Sequence, residues 1–260
     1  MAFTHNGDVR LHWREDGAGP PLLLLNSVGC TLSLWDRLMP HLGAFRVLRM
    51  DMRGHGLSDS PPGDCTLEQL AGDAAQVLAA AGVERAAICG LSLGGMTAMT
   101  LGLRTPALVS KLVLACTSAK MDRDIWNARI AAVRGQGMAA VVDAVMARFF
   151  SEEFRSRQPD AVADIRKRFL ALNPEGYAGC CAAIRDMDLL DQIAAIRAPT
   201  LVVAGSLDMA TPFQGHGQEI ANRIPGAKVE MIDAAHIAPV EEPERFAAIV
   251  RNFVLKSPPA

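Results

Sequence analysis

Residues 85–95 read RAAICGLSLGG, and this short segment carries the strongest indication of the chain's architecture. Residues 85–91 form an apolar run that predicts a buried strand, and a helix is predicted to begin near Leu93. Between them, Gly90-Leu91-Ser92-Leu93-Gly94 matches a G-x-S-x-G turn. Such a turn pushes its serine to the top of a sheet and needs small residues on either side. A chance glycine-serine turn is the alternative, but the strand before it and the helix after it favour a nucleophile at Ser92.

The segments on either side of this turn alternate between apolar runs and amphipathic stretches. That alternation is typical of parallel strands connected by helices. Thr66 is a suitable N-cap for an amphipathic helix over residues 66–80, which is predicted to end near Gly82. We therefore predict an α/β fold with a mostly parallel central sheet flanked by helices. Its other strands are predicted at residues 22–25, 46–51, 109–116, 199–205 and 228–232, and its last helix at residues 243–255.

The alternation stops between residues 119 and 192, where the pattern becomes helix after helix. Glycines and prolines separate the helical stretches, as expected for short loops. We predict a helical cap at residues 119–192, inserted into an α/β core formed by residues 1–118 and 193–260. The cap helices are predicted at residues 122–134, 138–150, 159–172 and 174–185.

Two residues after the insertion are predicted to complete a catalytic triad with Ser92. A serine hydroxyl is a weak nucleophile at neutral pH, so it needs a base, and the base needs an orienting carboxylate. Asp208 and His236 each follow a predicted strand, in the order serine, acid, histidine that this type of site requires. Their loops should meet Ser92 at the carboxyl edge of the sheet. Asp233 and Asp191 are the alternatives to Asp208.

The remaining histidines receive surface or turn roles. His5, His12 and His41 precede the serine turn, which does not fit the expected order. His55 belongs to an RGHG turn, and His216 falls in a predicted helix.

The tetrahedral oxyanion of acyl transfer needs two fixed N–H donors. One should come from the residue after the nucleophile, which is Leu93, and the other from a loop after an early strand. The loop Asn26-Ser27-Val28-Gly29 follows the strand predicted at residues 22–25. By position, Val28 is predicted to supply the second donor, although this loop could be a simple strand-to-helix connection.

Composition excludes several other functions. The 260 residues contain 26 basic and 28 acidic side chains, so no basic surface for nucleic acid is expected. The N-terminus does not resemble a signal peptide, and no apolar stretch is long enough to span a membrane. We therefore expect a cytoplasmic protein whose six cysteines are buried thiols. The histidines and cysteines lack metal-ligand spacing, and no metal is expected.

With these motifs placed, the chain resembles the 3-oxoadipate enol-lactone hydrolases, or β-ketoadipate enol-lactonases, of the α/β-hydrolase superfamily. The likeness covers nearly the whole chain and departs locally at residues 115–118 (ACTS), 215–217 (GHG) and 237–239 (IAP). The segments that carry it are LLLLNSVGCTLSLWD at 22–36, FRVLRMDMRGHGLSDSPPG at 45–63, CGLSLGGM at 89–96 and GYAGCCAAIRDMDL at 176–189.

This resemblance implies cofactor-free hydrolysis of a five-membered enol-lactone to 3-oxoadipate through an acyl-enzyme on Ser92, in bacterial degradation of aromatic compounds. The implied partner is a small lactone that bears a free carboxylate, and whether the chain forms a homo-oligomer stays open. Ser27, in the NS-x-G loop, is expected to contact this substrate.

The free carboxylate needs a partner outside the triad, and the cap is expected to supply it. Trp126 and Arg129 are three residues apart on a predicted helix, so they share a face. They would offer an aromatic wall beside a guanidinium that can bind a carboxylate in bidentate fashion. Arg129 could instead be a solvated surface arginine, and Arg134 and Arg185 are then the alternatives.

The triad alone does not distinguish this lactonase from other serine hydrolases with a cap. A carboxylesterase and a carbon–carbon bond hydrolase remain alternatives. A haloalkane dehalogenase is disfavoured because that chemistry uses an aspartate where this chain has Ser92. A non-catalytic ligand-binding protein of the same fold is disfavoured because serine, acid and histidine are all present.

Overall fold

A computed structural model of the chain describes residues 2–256, so residue 1 and residues 257–260 at the ends of the predicted core lie outside the description. Eight strands form one sheet: β1 (Ala2–Asn6), β2 (Val9–Asp16), β3 (Pro21–Leu25), β4 (Arg46–Met50), β5 (Ala86–Leu91), β6 (Val109–Ala115), β7 (Thr200–Gly205) and β8 (Lys228–Ile232). Their spatial order is β1-β2-β4-β3-β5-β6-β7-β8. Strands β3 to β8 pair in parallel, and the β1–β2 and β2–β4 pairs are antiparallel. The predicted α/β fold is confirmed.

Ten α-helices accompany the described part of this sheet. Helices α1 and α2 precede β6, helices α3 to α7 lie between β6 and β7, and helices α8 to α10 follow β7. Their bounds are α1 Leu67–Ala80, α2 Leu93–Arg104, α3 Arg123–Gln136, α4 Val142–Phe149, α5 Glu152–Arg157, α6 Pro159–Leu170, α7 Pro174–Asp186, α8 Gly217–Arg223, α9 Ala238–Glu241 and α10 Pro243–Leu255. No helix within residues 2–256 is both long and apolar enough to cross a membrane.

The central strands explain why the sheet could be predicted. Every residue of β5 and β7 is buried, as expected for parallel strands that are covered on both faces. Helix α1 begins as predicted, because the Thr66 side chain accepts a hydrogen bond from the Gln69 N–H while the Gln69 side chain accepts one from the Thr66 N–H. This capping box satisfies two backbone donors at the helix start.

Strands β1 and β2 lie outside the predicted set. They form an antiparallel hairpin, with Asn6 paired to Val9 across a turn in which Gly7 has a φ of +59°. Strand β1 alternates between half-buried and exposed residues, and the last three residues of β2, Arg14 to Asp16, are exposed and charged. A hairpin of this composition lacks the apolar run that marks the central strands.

The helical insertion also differs from the prediction in detail. The single helix predicted at residues 138–150 is wrong: a 3-10 turn at Met138–Ala140 is followed by the separate helix α4. The break falls at Val141, whose φ of −121° is incompatible with a continuous helix. Helix α5 was not predicted, and it begins where the Ser151 hydroxyl accepts a hydrogen bond from the Phe154 N–H.

Candidate active site

Ser92 lies in the turn that joins β5 to α2, and its backbone has a φ of 56° and a ψ of −117°. Few non-glycine residues adopt a positive φ, which marks a strained position. The adjacent glycines make the turn feasible. A Cβ at Gly90 would overlap the Gly94 carbonyl oxygen, a Cβ at Gly94 would overlap the Leu25 carbonyl oxygen, and one at Gly95 would lie 2.7 Å from the Thr117 side chain.

Asp208 and His236 form the hydrogen-bonded pair that a serine nucleophile requires. The Nδ1 atom of His236 lies 3.0 Å and 3.1 Å from the two carboxylate oxygens of Asp208, and both side chains are buried. Asp208 also accepts hydrogen bonds from the hydroxyl and N–H of Thr211 and from the N–H of Ala210. This arrangement orients the imidazole so that Nδ1–H faces the carboxylate and Nε2 is left to act as a base.

Burial by itself would raise the pKa of the Asp208 carboxyl. The charge of His236 and hydrogen bonds from His236 and Thr211 outweigh burial and hold the pKa of Asp208 well below its usual value. Asp208 is therefore ionised across the neutral range and can stabilise an imidazolium at His236. Asp233 and Asp191, the alternatives to Asp208, are both exposed and do not pair with His236. Asp233 instead accepts a hydrogen bond from the Ser206 hydroxyl.

Ser92 and His236 line the same cavity, which has a volume of about 280 Å³. Within the described chain, their side chains do not form a direct hydrogen bond; the ring hydrogen bonds that His236 does make are to Asp208. Catalytic hydrogen bonds of this kind are often long without substrate and shorten only in the reactive complex. The structure thus places Ser92 and His236, the predicted nucleophile and base, at one cavity without a direct hydrogen bond between their side chains.

Of the two predicted oxyanion donors, Val28 belongs to the same cavity lining as Ser92, and Leu93 follows Ser92 directly in the chain. Val28 lines the cavity in the loop after β3, and Leu93 is the first residue of α2. Neither N–H donates a hydrogen bond to another described residue, so both are free to bind an oxyanion. Asn26 anchors the loop, because its side chain donates to the Met50 carbonyl and accepts from the Trp35 indole N–H, at 2.8 Å and 2.7 Å. Ser27 also lines the cavity.

His55 contacts the oxyanion loop, a contact absent from the sequence-based prediction. The Gly29 N–H donates to His55 Nε2 at 2.9 Å, and Nδ1 of the same ring lies 3.2 Å from the Arg53 carbonyl oxygen. The ring therefore accepts at Nε2 and donates at Nδ1, which requires its neutral form. Burial lowers the pKa of His55, more than the Arg53 carbonyl and Asp51 raise it.

One wall of the cavity contains both residues that were predicted to bind the substrate from the helical segment. Trp126 and Arg129 of α3 line it, and the Arg129 guanidinium lies 4.5 Å from the centre of the Trp126 ring. Arg134 and Arg185 are engaged elsewhere: Arg134 pairs with Asp64 and Glu175, and Arg185 pairs with Asp64. Neither of these two alternatives lines the cavity.

Arg148 of α4 also lines the cavity and was missed in the sequence. A signal was present, because Val145, Arg148 and Phe149 are spaced i, i+3 and i+4 and so share one helix face. All three line the cavity. The sequence did not show that α4 begins at Val142, nor that this face of the helix meets the cavity.

His216 was predicted within a helix, and this prediction is wrong. It lies in the turn before α8, where Gly215 has a φ of +82°. Its Nδ1 lies 2.9 Å from the Ser118 hydroxyl. No group of three or more His, Cys, Asp or Glu side chains in residues 2–256 is arranged to hold a metal ion.

The fold and this site define a class. A family model described as the alpha/beta hydrolase fold matches residues 20–243, and the chain belongs to that family.

Within the family, the resemblance to enol-lactonases is confirmed. The chain is 36% identical over 238 residues to 3-oxoadipate enol-lactonase 1 of Acinetobacter baylyi, covering 90% of this chain and 88% of that protein. It is 32% identical over 254 residues to 3-oxoadipate enol-lactonase 2 of the same organism, covering 95% of each. The crystal structure of the enol-lactonase from Burkholderia xenovorans LB400 superposes with a TM-score of 0.95 at 36% identity, covering 98% of this chain and all of that one.

Proposed function

We propose that this protein is a serine hydrolase that opens the lactone ring of 3-oxoadipate enol-lactone to give 3-oxoadipate. The observation that carries the proposal is that Val28, Ser92 and His236 line one cavity, with His236 hydrogen-bonded to the buried Asp208. The Val28 and Leu93 N–H groups donate to no other backbone group within residues 2–256. The similarity to enol-lactonases supports the choice of substrate.

The reaction would begin with attack of Ser92 Oγ on the lactone carbonyl carbon while His236 takes the hydroxyl proton. The Val28 and Leu93 N–H groups would stabilise the oxyanion. Its collapse breaks the bond between the carbonyl carbon and the ring oxygen, and His236 returns the proton to that oxygen. The released enol becomes the ketone of an acyl chain that remains on Ser92. Water activated by His236 then hydrolyses this ester and frees 3-oxoadipate.

The cap is proposed to recognise the substrate carboxylate. Residues 119–192 would act as a cap over the core, and Arg129 would bind the carboxylate of the lactone beside the flat wall of Trp126. Because the cavity is otherwise mainly apolar, this ion pair would be stronger than one in open water. We place the activity in the cytoplasm, in the breakdown of aromatic compounds.

A comparison of three substrates tests the proposal. Purified protein would be given freshly generated 3-oxoadipate enol-lactone, muconolactone and p-nitrophenyl acetate, and kcat/KM would be measured for each. The proposal expects the enol-lactone to be preferred over both. A preference for p-nitrophenyl acetate would identify a carboxylesterase instead, and hydrolysis of none of the three would point to the carbon–carbon bond hydrolase or the non-catalytic alternative.

A further inference from the structure

The end of helix α4 is attached to the loop that carries His236. The Phe149 ring stacks on the His236 ring, with 5.8 Å between ring centres and an angle of 22°. The Ile237 N–H also donates to the Phe149 carbonyl oxygen at 3.1 Å. Arg148 directly precedes this anchored residue and lines the cavity. Its backbone is therefore held at a set position relative to the catalytic base.

Arg148 differs from most other arginines on helices α3 to α7 because no carboxylate in the described part of the chain pairs with it. Six of the nine arginines on α3 to α7 pair with carboxylates: Arg123, Arg134, Arg157, Arg166, Arg168 and Arg185. Arg129, whose guanidinium lies over the Trp126 ring, and Arg148 form no ion pair with a carboxylate in the range 2–256, and no Asp or Glu lines the cavity. Arg155, the ninth, does not line it. The cavity thus presents two uncompensated guanidinium groups to its contents.

The two arginines differ in position. Arg129 is half-buried on α3, whereas Arg148 is exposed on α4, so the two guanidinium groups line the cavity from different helices. The proposed substrate has one free carboxylate, which a single bidentate arginine can bind. Ring opening changes where that carboxylate lies. In the lactone, the ring holds it close to the reacting carbonyl, and in the acyl-enzyme a freely rotating chain of four carbons separates the two.

We propose that Arg148 binds the free carboxylate of the ring-opened acyl chain on Ser92, and that Arg129 binds the carboxylate of the intact lactone. This assignment rests on the proposed lactonase function. During deacylation, the water oxygen bonds to the acyl carbon, His236 takes its proton, the bond to Ser92 Oγ breaks and the proton returns to the serine. Arg148 would hold the far end of the chain during this step, which keeps the ester carbonyl at the Val28 and Leu93 N–H groups.

Two simple esters test this role without the lactone. Mono-4-nitrophenyl adipate would leave on Ser92 a six-carbon chain with a terminal carboxylate, the same length as the chain from the lactone. 4-Nitrophenyl hexanoate would leave a neutral chain of equal length. Stopped-flow release of 4-nitrophenolate separates acylation, seen as a burst, from deacylation, seen as the steady rate.

Arg148→Ala is expected to lower the ratio of adipyl to hexanoyl deacylation rates by about 10 to 100-fold, the factor for a lost charged hydrogen bond. Arg148→Lys should restore part of the ratio, because one charge remains but the bidentate geometry is lost. Arg166→Ala is the matched control, since Arg166 is a half-buried arginine of α6 that pairs with Asp143 outside the cavity. It should leave the ratio within about twofold of wild type.

Competitive inhibition by adipate and hexanoate provides a second measurement that does not depend on a resolved burst. Arg148→Ala should weaken inhibition by adipate about 10-fold or more relative to inhibition by hexanoate. An unchanged adipate-to-hexanoate ratio in either measurement would overturn the role of Arg148. Failure of the lactonase function is a separate outcome, recognised when wild-type protein hydrolyses both esters but does not open the enol-lactone.

Discussion

Ser92 occupies a strained backbone position because three glycines clear space around it, so its hydroxyl enters the cavity from a rigid turn. The base and the carboxylate are equally constrained, since Asp208 receives hydrogen bonds from Thr211 and Ala210 as well as from His236. A site of this kind depends on all its members, and removing one removes the function of the others.

Ser92→Ala and His236→Ala are each expected to lower kcat by several orders of magnitude while leaving the fold intact. Asp208→Asn should also be severe, because an amide favours the wrong imidazole tautomer and cannot stabilise the cation. Steady-state kinetics on the best substrate, with circular dichroism as the folding control, checks all three. More than a tenth of wild-type turnover in Ser92→Ala would show that the serine assignment is wrong.

Arg129→Ala is expected to reduce kcat/KM for the acidic lactone by about 10 to 100-fold, the range for a lost hydrogen bond to a charged group. A neutral ester such as p-nitrophenyl acetate should be much less affected, so the ratio of the two values is the measurement. Trp126→Ala should instead impair both substrates through lost packing. Arg134→Ala is the control, because it breaks ion pairs of the cap without touching the cavity. Equal losses on both substrates for Arg129→Ala would assign Arg129 a structural role.

Residues named by a local motif could be predicted, and residues defined by a distant contact could not. Ser92 follows from five consecutive letters, and the order of acid and histidine along the chain pointed to Asp208 and His236. The contact of His55 with Gly29 joins segments 26 residues apart, and nothing in the RGHG turn specifies it. The position of Arg148 at the cavity likewise depends on which side of α4 packs against the loop that carries His236.

The loop between β3 and the following 3-10 turn contacts helices of the segment between β6 and β7. Gly29 has a φ of +85°, and a Cβ there would lie 2.6 Å from the Phe169 ring of α6. The same residue donates its N–H to His55, whose ring packs 6.3 Å from the Tyr177 ring of α7. Helices of the insertion thus surround the residue next to the Val28 donor.

His55 should make the stability of the fold sensitive to mild acid. Burial lowers the pKa of His55 below its ordinary value of 6.5, so below about pH 6.5 the unfolded chain binds a proton that the folded chain resists. The stabilisation is present above that value and is lost as pH falls towards the folded pKa. Urea titrations at a series of pH values should therefore give a lower free energy of unfolding at about pH 5 than at pH 7.5.

His55→Gln separates this effect from other titrating groups. Glutamine keeps an acceptor for the Gly29 N–H but does not titrate, so the variant should lose less stability between the two ends of that range than wild type does. His216, whose pKa burial also lowers, remains in both proteins and cancels in the comparison. Asp208 acts in a lower window, because a carboxyl with a depressed pKa loses its contribution only as pH falls below about 4. Identical pH dependence in the two proteins would contradict the account of His55.

Most of the elements that could be predicted carry a local signal of burial or capping, although β8 was also predicted while its first four residues are exposed. Strands β3 and β5 to β7 are apolar runs, and α1 carries its own capping box. The β1–β2 hairpin and helix α5 are short and largely polar, so their stability comes from neighbours that the local sequence does not reveal.

The parallel sheet brings the residues of the candidate site together at one edge. The loops after β3, β5, β7 and β8 carry Val28, Ser92, Asp208 and His236, and the ends of parallel strands meet at one edge. The helical segment between β6 and β7 supplies the opposite wall of the cavity. The proposed catalytic residues therefore lie at the edge of the sheet, and the proposed carboxylate-binding arginines lie on the helical segment.

Chelators are expected to leave activity unchanged, because the proposed serine mechanism draws its electrostatic stabilisation from backbone N–H groups and needs no Lewis acid. Activity on the enol-lactone would be measured before and after dialysis against EDTA. A loss of activity that zinc restores would contradict the mechanism.

Titration with a fluorophosphonate shows whether Ser92 performs the lactone hydrolysis. The protein would be labelled to increasing extents, the labelled residue located by peptide mass spectrometry, and the remaining turnover of 3-oxoadipate enol-lactone measured for each sample. We expect the label on Ser92 alone and turnover that falls in proportion to labelling, reaching zero at one label per chain. Undiminished lactone turnover in fully labelled protein, or inactivation by a label on another residue, would contradict the claim.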